Sequence, residues 1–337
     1  MADNSGNDPA TLPDKHAASG WPKPKIGLAL GGGVGRGWAH IGVIKRLLEH
    51  GIEPDLVAGT SVGALVGGCY LAGRLETLED WARSLNRRRM TGYFDFLING
   101  TGIIGGKKLE KVLQRHLGDV MIEDLPRPFT AVTSELATGH EAWLRSGSLV
   151  EAIQAAYALP GVFPPRKIMG RWLIDGALVN PLPVSVCRAM GARLVVAVGL
   201  HADAFGRAAV SRAERYDDFE FVEGHGLRET GQDEVGKSAM LRQLFGGGEK
   251  TPSMGTVMLA SLNIVMDRLT RSRLAGDPAD VSLLPSIGHI ALLDFDKADE
   301  LIELGAQCVD HQLPFIRNAL SVLGKNDDQD VSNSPSS

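Results

Sequence analysis

Gly59-Thr60-Ser61-Val62-Gly63 sets a serine midway between two glycines. A serine hydroxyl is a poor nucleophile until it is lifted out of the backbone, given a base and faced with donors for the oxyanion it creates. A G-x-S-x-G segment does the lifting when it lies between a strand and a helix, because the flanking glycines allow a sharp, strained turn. That setting is present. The short apolar run Asp55–Ala58 reads as a strand before the serine, and the small-residue stretch Ser61–Ala72 reads as a helix after it. The positive end of that helix and the Val62 N–H then sit behind Ser61. Taken alone, the same five residues also describe a plain tight turn.

A second glycine cluster, Leu30-Gly31-Gly32-Gly33-Val34-Gly35-Arg36-Gly37, follows the apolar run Lys25–Leu30 and opens the next helix. Such a loop aims backbone N–H groups at an anion, either a dinucleotide pyrophosphate or a reaction oxyanion. The dinucleotide reading fails on register. Every alignment to G-x-G-x-x-G places Val34, Arg36, Trp38 or His40 on a required glycine, and Asp55 begins the second strand instead of ending it. The oxyanion reading stands. Gly231 to Ser238 matches a phosphate-loop pattern letter for letter, but the preceding FEFVEGHGLRET is charged and broken by glycine. Asp233 and Glu234 would also place negative charge beside a phosphate, so this match is set aside.

The serine still needs a base. His201, His225, His289 and His311 lie in no compelling motif and read as surface or packing histidines. Trp172-Leu173-Ile174-Asp175-Gly176-Ala177 is sharper, because an aspartate ends a short strand and the small residues after it let its carboxylate stand at the sheet edge. Asp-Gly is also a common turn pair, which is the plainer reading of Asp175 by itself.

In order, the chain carries the glycine loop with Arg36-Gly37, then Ala39-His40-Ile41-Gly42-Val43, then Gly59–Gly63. Leu159-Pro160-Gly161-Val162-Phe163-Pro164-Pro165 follows, and then Asp175-Gly176-Ala177-Leu178-Val179-Asn180-Pro181-Leu182-Pro183. This ordered set resembles the patatin-like phospholipase family, nearest its bacterial members, over roughly residues 25–200 and more weakly over 256–320. The resemblance implies an α/β protein with a three-layer α/β/α fold and a mostly parallel central sheet. It implies a Ser–Asp dyad with no catalytic histidine, Ser61 as nucleophile and Asp175 as base. It assigns the oxyanion hole to Gly32, Gly33, Val34 and Val62, with Arg36, Gly59, Gly63 and Gly176 as supporting residues of the motifs. It also implies hydrolysis of acyl esters of phospholipids or lysophospholipids, without cofactor. One departure is visible: the third glycine of the family's loop is Val34 here, which a side chain tolerates if its φ is negative. A Ser-His-Asp carboxylesterase and a non-catalytic lipid-binding module on the same fold remain as alternatives.

The elements around these motifs alternate. Helices are expected over Arg36–His50, Leu75–Arg89, Lys107–Leu117, Leu149–Tyr157, Thr256–Arg273 and Lys297–Leu323. Strands are expected over Phe129–Ser134, Glu141–Leu144, Trp172–Ile174, Arg193–Gly199 and Val281–Leu284. Residues 1–22 read as a disordered lead, 23–323 as one catalytic domain with a mobile insertion at 204–250, and 324–337 as a disordered tail. The Met258, Leu262, Val265, Met266 and Leu269 stripe reads as a core face before an acyl channel or bilayer contact. Arg268, Arg271 and Arg273, and Arg87-Arg88-Arg89, read as solvated cations before lipid-phosphate ligands.

Composition narrows the classes. The 337 residues carry 40 acidic and 35 basic side chains, a formal charge of -5, which argues against a general nucleic-acid binder. Three cysteines, Cys69, Cys187 and Cys308, form neither a disulfide framework nor a cysteine zinc site and suit a reducing compartment. No residue set reads as a metal site. With no secretory signal and no apolar run of about 18 residues, the expected location is cytoplasmic, with peripheral contact at the inner membrane face. Oligomeric state is left open. Thirteen of the 41 glycines fall between Gly27 and Gly73, and the two motif loops account for their concentration.

Overall fold

The structure, a computed structural model, describes residues 26–85, 107–201 and 254–332. Runs of short apolar and β-branched residues form the sheet. β1 (Ile26–Leu30), β2 (Leu56–Thr60) and β7 (Leu194–Val198) are almost wholly buried, as strands covered on both faces must be. β1 lies between β2 and β7. β3 (Phe129–Glu135) extends the sheet beyond β2, and β8 (Val281–Leu283) extends it beyond β7, all in parallel. β4 (Glu141–Leu144) and β6 (Arg171–Asp175) run antiparallel to β3, and β5 (Arg166–Ile168) pairs antiparallel with β6.

Side-chain alternation along these strands supplies two cores. Leu28, Leu30, Val57, Val196 and Val198 face a thick helical layer of α1 (Ala39–Glu49), α2 (Val62–Leu71), α3 (Leu75–Ser84), α4 (Lys107–Leu117), α5 (Leu149–Ala156) and α8 (Ala298–Ser332). Ala29, Leu56, Ala58, Val195 and Ala197 face a thinner layer made by α6 (Val184–Ala189) and the end of α7 (Met254–Gly276). The arrangement is the expected three-layer α/β/α fold with a mostly parallel sheet.

α1 and α8, far apart in sequence, cross at backbone distance. A Cβ on Gly42 would collide with the Ile302 carbonyl oxygen, and one on Gly305 with the Ala39 carbonyl oxygen. Glycine on both sides of the crossing is what lets the two helices touch.

The register around β3 positions the site. β2 pairs with β3 up to Thr60↔Val132, and β4 covers Ala131 to Ser134 from the opposite edge. β6 pairs with Thr133, Ser134 and Glu135. Since β4 overlaps both pairings, β2 and β6 must share one edge of β3 in succession. The chain leaves that edge just after Thr60, and Asp175 occupies the next position along it.

Several boundaries differ from expectation. The helix expected from Arg36 begins as a 3₁₀ turn, Val34–Trp38, in which Gly37 packs so tightly on Val62 that a side chain there would overlap it. α7 and α8 are longer than expected, and α8 continues through the first part of the expected tail to Ser332, with 333–337 outside the described residues. β5 had no sequence signal, being three residues long and partly exposed. The expected lead 1–22, the insertion 204–250, the Gly231–Ser238 match and Arg87-Arg88-Arg89 lie outside the described residues. Among the described residues no helix is long and apolar enough to cross a membrane.

Candidate active site

Ser61 sits at the β2–α2 corner with φ 55 and ψ -125, a backbone that β-carbon-bearing residues adopt at a cost. The corner is tight on both sides. A Cβ on Gly59 would stand 2.6 Å from the Ala64 nitrogen, and one on Gly63 would overlap the Leu30 carbonyl. The Thr60 hydroxyl donates to the Asn180 carbonyl at 2.8 Å and ties the corner to the segment after β6. Ser61 is 6% exposed, and its Oγ donates to Asp175 Oδ2 at 2.7 Å.

Asp175 ends β6 and is 1% exposed. Its N–H donates to the Ala158 carbonyl at 3.0 Å, and its Oδ1 accepts from the Ala177 N–H at 2.8 Å. Gly176 is obligatory, because a Cβ there would strike the Val132 carbonyl. Burial raises the carboxyl from 3.8 to about 7, against the opposing pull of the Ala177 and Ser61 hydrogen bonds. The two carboxylate oxygens are thus taken by Ser61 and Ala177, and among the described residues no histidine bonds either dyad side chain. His289 bonds Glu300 at 2.8 Å and His311 is exposed. His201 is buried beside the Gly32 backbone and Asn263 without a well-aligned bond, and desolvation lowers it to about 4. His225 lies outside the described residues.

The glycine loop lies against the serine, with a Cβ built on Gly32 coming 3.4 Å from Ser61 Cβ. Its amides are not equivalent. Gly31 N–H donates to the Val198 carbonyl at 3.1 Å and Gly32 N–H to the Pro181 carbonyl at 2.9 Å. The expectation that Gly32 offers an oxyanion donor is therefore corrected: its amide is committed, and its missing side chain provides the close approach. The amides of Gly33 and Val34 donate to no backbone carbonyl among the described residues. With the Val62 N–H at the start of α2, they are the donors left for an anion.

Val34 is also corrected. Its φ is +51, not negative, so a β-branched residue stands where the left-handed region favours glycine. Val34→Gly should relieve that strain and stabilise the fold by about 1 kcal/mol after the entropy of the freer chain is deducted. A denaturant midpoint measured for both proteins checks this, and an unchanged or lower midpoint contradicts it.

The loop is anchored on backbone carbonyls of a segment that carried no motif, Ile290 to Phe295. Arg36 Nε donates to the Ile290 carbonyl at 2.7 Å, Gly35 N–H to Leu292 at 2.8 Å and Trp38 Nε1 to Phe295 at 3.2 Å. His40, fully buried and held near 4 by desolvation, is neutral, so its Nε2–H donates to the Gly31 carbonyl at 2.8 Å. Asn180 carries its amide to Glu141 at 2.8 Å, and Glu141 in turn accepts from Arg273 of α7 at 3.2 Å.

On α7, Met266 is buried while Val265 is exposed. Met258 lies over Gly161, whose Cβ would fall 3.0 Å from its sulfur. Arg271 pairs with Asp267 and Arg273 with Glu141, which leaves Arg268 as the exposed member of the three. Among the described residues no cluster of three or more His, Cys, Asp or Glu side chains could hold a metal ion.

Comparison with known proteins shows the family of the chain. Residues 28–188 match the family model described as patatin-like phospholipase. An uncharacterized NTE family protein of Mycobacterium tuberculosis is 32% identical over 325 residues, spanning 85% of this chain and 90% of that protein. Human patatin-like phospholipase domain-containing protein 6 is 34% identical over 180 residues, covering 51% of this chain and 13% of its own length. The lysophospholipase NTE1 of Mycosarcoma maydis is 38% identical over 178 residues, covering 51% of this chain and 9% of its own.

Proposed function

We infer that this chain, which belongs to the patatin-like phospholipase family, hydrolyses lipid acyl esters with Ser61 as nucleophile and Asp175 as its general base. The observation that carries the reading is the direct 2.7 Å bond from the serine hydroxyl to a buried carboxylate. Serine Oγ attacks the acyl carbon while its proton passes to Asp175 Oδ2. The tetrahedral oxyanion that forms meets the amides of Gly33, Val34 and Val62, fixed in place before the reaction. The C–O bond to the lipid alcohol then breaks, and the departing oxygen takes the proton from Asp175. Water, deprotonated in turn by Asp175, hydrolyses the acyl-serine and returns the enzyme. Diacyl phospholipids and lysophospholipids are the substrate classes, the second supported by the name of the Mycosarcoma relative. One catalytic unit across 23–323, working on the cytoplasmic side of a lipid surface, fits the reading.

A free aspartate, with its usual pKa near 4, would be too weak a base for serine. Burial raises Asp175 to about 7, which strengthens it while leaving it ionised on the alkaline side of neutrality. The base works only when deprotonated, so attack quickens as pH rises through about 7 and flattens above it. A fluorophosphonate probe tests both parts. It should label Ser61 with a rate that climbs along one limb centred near pH 7, and the Ser61→Ala protein should not be labelled. Labelling at another residue, or a rate that is flat from pH 5 to 9, contradicts the reading.

A further inference from the structure

β5 and β6 form a hairpin whose strands project past the C-terminal end of β3, because Leu173 already pairs with Glu135, the last residue of that strand. This is the end of the sheet from which Ser61 and the glycine loop also emerge. Ile168 pairs with Arg171, so Met169 and Gly170 alone make the turn, with φ of 48 and 80. A two-residue turn with both φ values positive favours Asn-Gly. Methionine here holds a strained backbone without burying anything, since Met169 is 84% exposed. Beside it, Trp172 is 49% exposed and Leu136 is 53% exposed, the Leu136 N–H bonding the Trp172 carbonyl at 2.8 Å. Lys167, cross-strand from Trp172, holds its ammonium 5.7 Å from the indole centre. Residues 166–172 carry three cations and no acid, and residues 136–140 carry no acid. Glu135 below them faces Arg171 at 3.7 Å, and Glu110 pairs with Arg166.

We propose that this hairpin tip is an interfacial anchor for an anionic phospholipid surface, with Met169, Trp172 and Leu136 entering the headgroup–acyl boundary and Lys167 and Arg171 meeting lipid phosphates. Exposed tryptophan and methionine rimmed by cations suit that boundary, where an indole keeps one end apolar and the other wet. The placement also has a consequence for catalysis. β6 delivers Asp175 at its inner end, so docking of the tip brings the same end of the sheet that holds Ser61 towards the lipid. The proposal rests on the lipid-hydrolase reading above, and its test separates the two.

Sedimentation with vesicles of phosphatidylcholine and phosphatidylglycerol, using Ser61→Ala protein so that no lipid is consumed, measures docking alone. The Met169→Asp/Trp172→Asp double variant should partition about tenfold or more less than its parent, the loss of two apolar anchors. In the Ser61-containing protein the same pair should leave hydrolysis of a soluble short-chain ester within about twofold. Lys167→Glu, a charge reversal on an exposed side chain, should weaken binding to anionic vesicles more than to pure phosphatidylcholine. Parent-level sedimentation by the double variant overturns the proposal, as does an absence of vesicle binding in the parent. A dimer in the parent that the double variant dissociates overturns it in favour of a second copy on this face. Loss of soluble-ester turnover in the double variant, with Lys167→Glu binding like the parent, overturns it in favour of a structural role. Should vesicle binding hold while Ser61→Ala still hydrolyses esters, the anchor stands and the catalytic reading fails.

Discussion

Ser61→Ala and Asp175→Asn should each lower turnover of a soluble acyl ester by about 10⁴-fold or more, because the proposed nucleophile and base act as a unit. Such losses are often misread as unfolding, and Asp175 supplies a control. Burial raises its pKa from 3.8 to about 7, so the folded state binds this proton more tightly than the unfolded chain. The contribution of Asp175 to stability then falls as pH rises from about 4 to about 7, and above that the fold carries its buried charge at full cost. An asparagine keeps the shape without the charge. Asp175→Asn should therefore be more stable than the parent by a few kcal/mol at pH 8, with the difference vanishing towards pH 4. Thermal melts at the two pH values together with ester assays check the pair of effects. An inactive Asp175→Asn that melts lower than the parent at pH 8 contradicts the argument, and so does activity surviving in either variant.

The second large effect is on stability. Gly42→Ala should cost about 3 kcal/mol and lower the melting temperature by roughly 5–10 °C, even though alanine is the better helix former. The methyl would enter the space of the Ile302 carbonyl, a backbone atom of α8 that cannot rotate aside. Relief requires the two helices to part, which opens the core holding Ile41, Ile44, Leu301 and Val309. Gly305→Ala meets the Ala39 carbonyl in the same crossing and should behave alike. Gly139→Asn is the contrast, since at φ +69 it has empty space around it and asparagine tolerates that region. Its melting temperature should fall by no more than a degree or two. Equal losses at positions 42 and 139 would mean that the crossing is not close-packed.

Much of the site was legible because its chemistry needs glycine at fixed offsets. Gly59, Gly63 and Gly176 are each pressed against neighbouring backbone, and a motif of that kind records steric necessity directly. The strands were legible for a similar reason, as LVVAV and IGLAL can be buried on both faces and little else. What stayed hidden depended on partners remote in sequence. Nothing in Gly32 announces that Pro181 takes its amide, and nothing near Ile290 or Phe295 announces that they hold the glycine loop. Val34 was misjudged because a positive φ leaves no trace in residue type when a valine adopts it. β5 escaped because it is short and because the turn that joins it to β6 breaks the usual residue preference.

The segment that begins at the last residue of β6 does more than supply a carboxylate. Asp175 reaches Ser61, the Asn180 carbonyl takes the Thr60 hydroxyl, and the Pro181 carbonyl takes the Gly32 amide. Seven residues, 175–181, therefore gauge the spacing between the strand that leads into Ser61 and the glycine loop. An inherited change in any one of the three pieces alters the distances seen by the other two. Over descent, the three pieces are expected to change together or not at all.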